Sequence, residues 1–206
     1  MTWEIKAGCM GKRELSSLHI DIFTNNIFLA EREAGIHLLS FFPDIPISLD
    51  EFLAERNRAQ DMLWPSAKLL PGVHKLVSHL KKHNIPIAIA TSSRRRNFEK
   101  KSGHLQSVFS LFEGKVICGD DQEYRMRGKP APDIFLIAAK ALLGRDVGEL
   151  ETEPTNAQLD ERAKGLVFED ALPGLQAGKR AGMSGMISAS SLLILIFTVA
   201  FSCLGT

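Results

Sequence analysis

Apolar and polar positions follow one pattern from Leu69 onward: a short continuous apolar run, then polar residues, then a segment with helical spacing. The runs are Ile85 to Ala90 (IPIAIA), Lys115 to Cys118 (KVIC) and Gly165 to Phe168 (GLVF). Runs without alternation predict strands buried on both faces, as in a parallel sheet. Val73 to Lys82, with apolar Val73, Leu76, Val77 and Leu80 after the Leu70-Pro71-Gly72 break, predicts a helix. Asp133 to Leu143, just after a proline, and Leu172 to Arg180 predict two more. The fold class is therefore α/β, with a doubly wound parallel sheet. Such sheets bind ligands beyond the carboxyl ends of their strands, which places Thr91, Asp120, Glu169 and Asp170 on one shared rim.

Residues 1–66 have a different pattern and are predicted to form a small helical domain. Leu49 to Trp64 is its clearest helix, stopped by Pro65. The α/β core spans 67–183, and within it the polar stretch 144–164 predicts a solvated loop with some helix. Residues 184–206 stand apart. No charged residue follows Arg180, and Ser191 to Leu204 reads SLLILIFTVAFSCL. This stretch suits a short membrane anchor, a buried strand, or sequence foreign to the fold. A membrane span needs about 20 apolar residues, and no Lys or Arg flanks the C-terminal side, which argues against a membrane.

With 206 residues, 45% hydrophobic and 24% charged, the chain can bury a real core, which excludes disordered, collagen-like and disulfide-dense classes. A net charge of +1 argues against a nucleic-acid-coating protein. Cys9, Cys118 and Cys203 lie far apart, which fits a reducing compartment and opposes a structural zinc site. The start, Met-Thr-Trp-Glu-Ile-Lys, has no apolar signal region, so a cytoplasmic location is expected.

Three groups at strand ends can do chemistry, and each also has a plainer explanation. Thr91, Ser92 and Ser93 offer hydroxyls and backbone N–H groups to an anion, or simply cap a helix. Lys129, in Gly-Lys-Pro-Ala-Pro-Asp, can place a fixed positive charge on a phosphoryl group, or be a solvated surface lysine. Glu169 and Asp170 can hold Mg²⁺, or serve as acidic residues at a helix start. Taken together, hydroxyl, lysine and acidic pair on successive strand ends match phosphoryl transfer. His79 and His83, four apart, offer half a metal site with no third ligand nearby, and Arg94 to Arg96 form a basic turn.

These segments, IAIATSS, GKPAPDIF and GLVFEDALPGLQAGKRAGM, resemble the second, third and fourth motifs of haloacid dehalogenase-like hydrolases. The similarity runs from about Leu49 to Met183 and is greatest to the branch with a small helical cap, including pseudouridine-5′-phosphatase-like enzymes and β-phosphoglucomutase. It implies a Rossmann-like core with a helical cap. It also implies a Mg²⁺-dependent phosphatase that handles a small phosphorylated metabolite through an aspartyl-phosphate. Thr91 would then bind the transferring phosphoryl group, with Ser92 and Ser93 beside it. Lys129 would steady that group and the nucleophile, and Asp170, supported by Glu169, would hold Mg²⁺. Gly11 and Lys12 resemble the cap segment that closes over substrate.

The first motif of that family, a strand ending in Asp-x-Asp-Gly, does not occur in the sequence. Its first Asp is the nucleophile, so the chain as written is expected to be inactive. A non-catalytic phosphate-binding or regulatory protein is the alternative. The family's first strand lies between those corresponding to 85–90 and 165–168, so an unfilled centre is expected unless the tail, with its LLILIF run, fills it. Each unpaired buried backbone group would cost about 1–3 kcal/mol, against a net stability of about 5–15 kcal/mol. Residues 13–29 interrupt the cap as a foreign insert. The expected explanation is that the two stretches are retained introns and that the missing start reflects a misread first exon. Transcript reads running unspliced through 13–29 and 184–206 in every copy would overturn that explanation.

Overall fold

The computed structural model describes residues 31–187 and 198–201, so the expectations for Gly11, Lys12, the insert 13–29 and the LLILIF run lie outside the described residues. The chain divides into two compact units, 1–60 and 61–206.

In the first unit, α1 (Glu31–Ser40) is followed by α2 (Leu49–Leu63). Ser48 and Glu51 start α2 with a reciprocal cap: the Ser48 N–H donates to Glu51 Oε2 at 2.9 Å, and the Glu51 N–H donates to Ser48 Oγ at 3.3 Å. Pro65 cannot continue the helix, and Trp64–Ser66 closes it with a 3₁₀ turn.

Among the described residues the second unit is built on a five-stranded sheet. Its strands are β1 (Ile87–Thr91), β2 (Val116–Cys118), β3 (Gly165–Glu169), β4 (Ser184–Ile187) and β5 (Thr198–Phe201), in the order β2-β1-β5-β3-β4. The first four run parallel; β1, β2 and β3 fall on the three apolar runs, whereas β4 lies at the start of the 184–206 stretch set apart from the core and is not among the predicted strands. The position predicted to be vacant is occupied by β5, which comes from the apolar tail and runs antiparallel to both neighbours. Ile87 pairs with Ala200 and Ile89 with Thr198 on one side; Gly165 pairs with Phe201 and Phe168 with Thr198 on the other. The occupying strand lies just beyond LLILIF in sequence.

Every residue of β1 is buried, and its alternation divides the interior into two cores. Ala88 and Ala90 face Ile117, Phe135, Ala138, Val167 and Ala177. Ile87 and Ile89 face Val77, Val108, Phe109 and Phe112. The small alanines leave room for α6 (Asp133–Ile137) and the π-helical turn Ala138–Leu142 that continues it. The other face receives α3 (Val73–Lys82) and α5 (Gln106–Phe109), and α4 (Arg95–Ser102) follows the loop after β1. The polar stretch 144–164 contains α7 (Asn156–Ala163), started by a Thr155–Gln158 capping box. Its Arg162 is buried, with Nε donating to the Val147 carbonyl at 2.7 Å. Finally, α8 (Leu172–Arg180) follows β3. Among the described residues no helix is long and apolar enough to cross a membrane.

Because β5 is paired along both edges, a proline within it removes a ladder donor and cannot be relieved at a sheet edge. Val199→Pro is expected to lower the unfolding free energy by at least about 1–3 kcal/mol, read from urea denaturation. An unchanged midpoint would mean that β5 does not hold the centre of the sheet.

Candidate functional site at the strand ends

At the rim β1 runs to Thr91 and β3 to Glu169, and the described part of β5 pairs with both strands, Thr198 lying opposite Ile89 and Phe168. Lys129 reaches between these strand ends. Its side chain is only 7% exposed, and its ammonium donates to the Ala90 carbonyl at 3.2 Å while pairing with Glu169 Oε1. One cation thus ties together two strands that are not neighbours. The ring of Phe135 lies beneath it, 4.7 Å from centroid to Nζ. The surface-lysine explanation does not hold.

The loop that delivers Lys129 is fixed by the first residue of α6. Asp133 is buried and accepts from Arg127 three times: from Nη2 at 2.8 Å, from Nε at 3.0 Å and from the backbone N–H at 2.9 Å. Pro132 already has helical dihedrals, so the chain turns into α6 within a few residues of the lysine.

Thr91 is buried, and its Oγ1 accepts the Ser93 N–H at 3.1 Å. Ser92 is exposed and Ser93 half-buried. None of these hydroxyls caps α4: Arg94 occupies the cap position, and Asp120 Oδ1 accepts the Arg95 N–H at 2.7 Å. Asp120 therefore lies on the expected rim as a helix cap. The loops after β1 and β2 meet closely, with the Gly119 N–H donating to the Ser93 carbonyl at 3.0 Å. A Cβ at Gly119 would come within 2.6 Å of the Ser92 carbonyl oxygen, so only glycine fits there.

Glu169 is 1% exposed and its Oε2 has no hydrogen-bond partner. Burial pushes its pKa up to about 7, opposed by Lys129; burial likewise pushes the Lys129 pKa down, opposed by Glu169. Asp170 is exposed beside it. Neither acid takes the cap position of α8, which Ala171 occupies with no side-chain cap. A Cβ at Gly174, in the first turn of α8, would overlap the Glu169 carboxylate, so this glycine makes the space that Glu169 fills.

The remaining candidates take structural places. Arg95 pairs with Asp121 and donates to the Val116 carbonyl at 3.1 Å, and Asp121 Oδ2 also accepts the Cys118 N–H at 2.8 Å. Cys118 is a buried core thiol whose pKa burial raises to about 11. The rings of His79 and His83 lie 4.3 Å apart, tilted at 46°, and no group of three His, Cys, Asp or Glu among the described residues is arranged to hold a metal. The pattern along the chain gave no hint of Gly174, Asp133 or Lys101. Lys101 donates to Ser93 Oγ at 2.7 Å from the last turn of α4.

Glu169 makes stability depend on pH with a definite sign. Its folded pKa lies above the ordinary value, so the folded state holds the proton more tightly. Its contribution is complete below the unfolded pKa and is lost as pH rises through about 7. In urea denaturation with chelator present, wild type is expected to lose stability relative to Glu169→Gln between about pH 4.5 and 7, then level off. A flat difference across that range would refute the assignment.

A family model for haloacid dehalogenase-like hydrolases matches residues 24–182. The chain is 35% identical over 182 residues to (DL)-glycerol-3-phosphatase 2 of Arabidopsis thaliana, covering 88% of this chain and 63% of that protein. It is also 35% identical over 184 residues to a probable pseudouridine-5′-phosphatase, YKL033W-A, of Saccharomyces cerevisiae, covering 88% and 65%. The chain thus spans somewhat under two thirds of the length of these curated relatives. A crystal structure of an HAD hydrolase, family IA, variant 3, from Entamoeba histolytica superimposes with a TM-score of 0.55 at 26% identity, covering 86% of this chain and 79% of that one. The chain belongs to the haloacid dehalogenase-like hydrolase family.

Proposed function

We propose that this chain carries the phosphate-binding and metal-binding side of a phosphatase for small phosphomonoesters. The observation that supports it most directly is the buried Lys129 ammonium, held between the end of β1 and Glu169. Thr91, Ser92 and Ser93 supply hydroxyl and N–H donors for the phosphoryl oxygens, and Lys129 holds a positive charge against the charge that develops there. Lys129 is pre-positioned at no further entropic cost, because Glu169, the Ala90 carbonyl and the Phe135 ring already fix it. Gly11 and Lys12 are the proposed cap residues that contact substrate.

Mg²⁺ fits the donors present. Glu169 Oε2 is an unused hard oxygen, Asp170 is an adjacent exposed carboxylate, and Mg²⁺ takes one or two carboxylates with waters and phosphate oxygens. When bound, it would neutralise phosphoryl charge and orient the transferring group.

The sequence has no Asp-x-Asp-Gly, and the strand between β1 and β3 reads TVAF, with no carboxylate to act as nucleophile. That favours a second reading for the 206-residue polypeptide: a non-catalytic phosphate-binding or regulatory protein that binds phosphate without turnover. The relatives' names guide the panel for testing this. The chain is assayed with Mg²⁺ against glycerol 3-phosphate, pseudouridine 5′-phosphate and a sugar phosphate, with inorganic phosphate binding measured by calorimetry. Binding that Lys129→Met abolishes, without phosphate release, is the expected result. Turnover would refute the inactive reading, and an absence of phosphate binding would refute the site.

A further inference from the structure

The half-buried cations around the rim are matched by carboxylates, with one exception. Lys129 pairs with Glu169, Arg95 with Asp121, and Lys100 with Asp61. Lys101, half-buried in the last turn of α4, forms no ion pair among the described residues. Its ammonium instead donates to Ser93 Oγ at 2.7 Å and lies 5.0 Å from the centroid of the Trp64 ring. Burial lowers its pKa, and Asp170 is near enough to act on its charge. A desolvated cation with an aromatic ring and a hydroxyl for company is costly to keep unless an anion completes its surroundings.

The hydrogen-bond chemistry gives this charge a direction. An ammonium can only donate, so the Ser93 oxygen accepts from Lys101 and its own proton must go to another acceptor. The Ser93 N–H is directed to Thr91 Oγ1, so Ser93 and Thr91 stand on the same loop at the end of β1.

We infer that Lys101 is a positioning residue for anion binding: it orients and polarises the Ser93 hydroxyl so that this hydroxyl donates to a tetrahedral oxyanion held at Thr91 and Lys129. The ligand class is a phosphate or phosphomonoester dianion, met by Lys129 on one side and by the Lys101–Ser93 pair on the other. This rests on the reading of the rim as a phosphate site.

The test uses the whole 206-residue chain and inorganic phosphate, with affinity measured by calorimetry and folding checked by circular dichroism. Lys101→Met is expected to weaken phosphate binding about tenfold, the scale of one charge-assisted hydrogen bond. Ser93→Ala should weaken it to a similar degree. The double variant should bind no worse than Lys101→Met alone, because the lysine acts through the serine. Lys101→Arg should stay within about threefold of wild type, since the charge and donor remain. If Lys101→Met binds phosphate like wild type while Lys129→Met does not, this inference fails and the rim reading stands. If the wild-type chain binds no phosphate, both fail. Should Lys101→Met not fold, unchanged affinity in Ser93→Ala overturns the inference on its own.

Discussion

The backbones of β1 and β3 each need a partner along the edge they turn towards one another, and the structure depends on how that need is met. Both strands lie in the interior of the sheet, where an unpaired N–H or carbonyl has no water to turn to. A short strand from the apolar tail supplies the partner, in the opposite direction to its neighbours. Direction matters for the site as well as for the fold. A parallel strand here would present its carboxyl end at the rim, whereas β5, antiparallel to both neighbours, turns its amino end that way.

At the rim Lys129 bridges the ends of β1 and β3. Bringing a lysine and a glutamate into this setting is expensive, since both lose hydration. Three features offset the cost: the ion pair itself, the Ala90 carbonyl that accepts from the ammonium, and the Phe135 ring below it. The space exists only because position 174 has no side chain. A tightly caged cation flanked by an unused carboxylate oxygen is poorly explained by stability alone, as an apolar pair would hold the strands at lower cost. It is well suited to receiving an anion and a metal ion.

The strand ends at Thr91, Lys129 and Glu169 were legible because their neighbours in sequence announce them: an apolar run that stops abruptly, and a lysine set between glycine and proline. Capping and solvent exposure explained each group equally well on sequence alone. The structure removes those explanations one by one, with Asp120 capping α4, Ala171 in the cap position of α8, and Lys129 buried. Lys101 gave no such signal. It follows another lysine on a short charged helix, and its distinction from Lys100 is a matter of which face it takes and which partner it meets.

The sequence by itself determined the strand-forming runs, the helices after them, and the residue types at the strand ends, because these follow from local periodicity and turn chemistry. It also determined that no Asp-x-Asp-Gly is present. Only the tertiary structure decided what stands between β1 and β3, and in which direction. Strand order and register are set by long-range backbone pairing, which leaves no local mark on the chain. The burial of Glu169 was decided the same way: its raised pKa and its space beside Gly174 arise from β3, α8 and the Lys129 loop packing together.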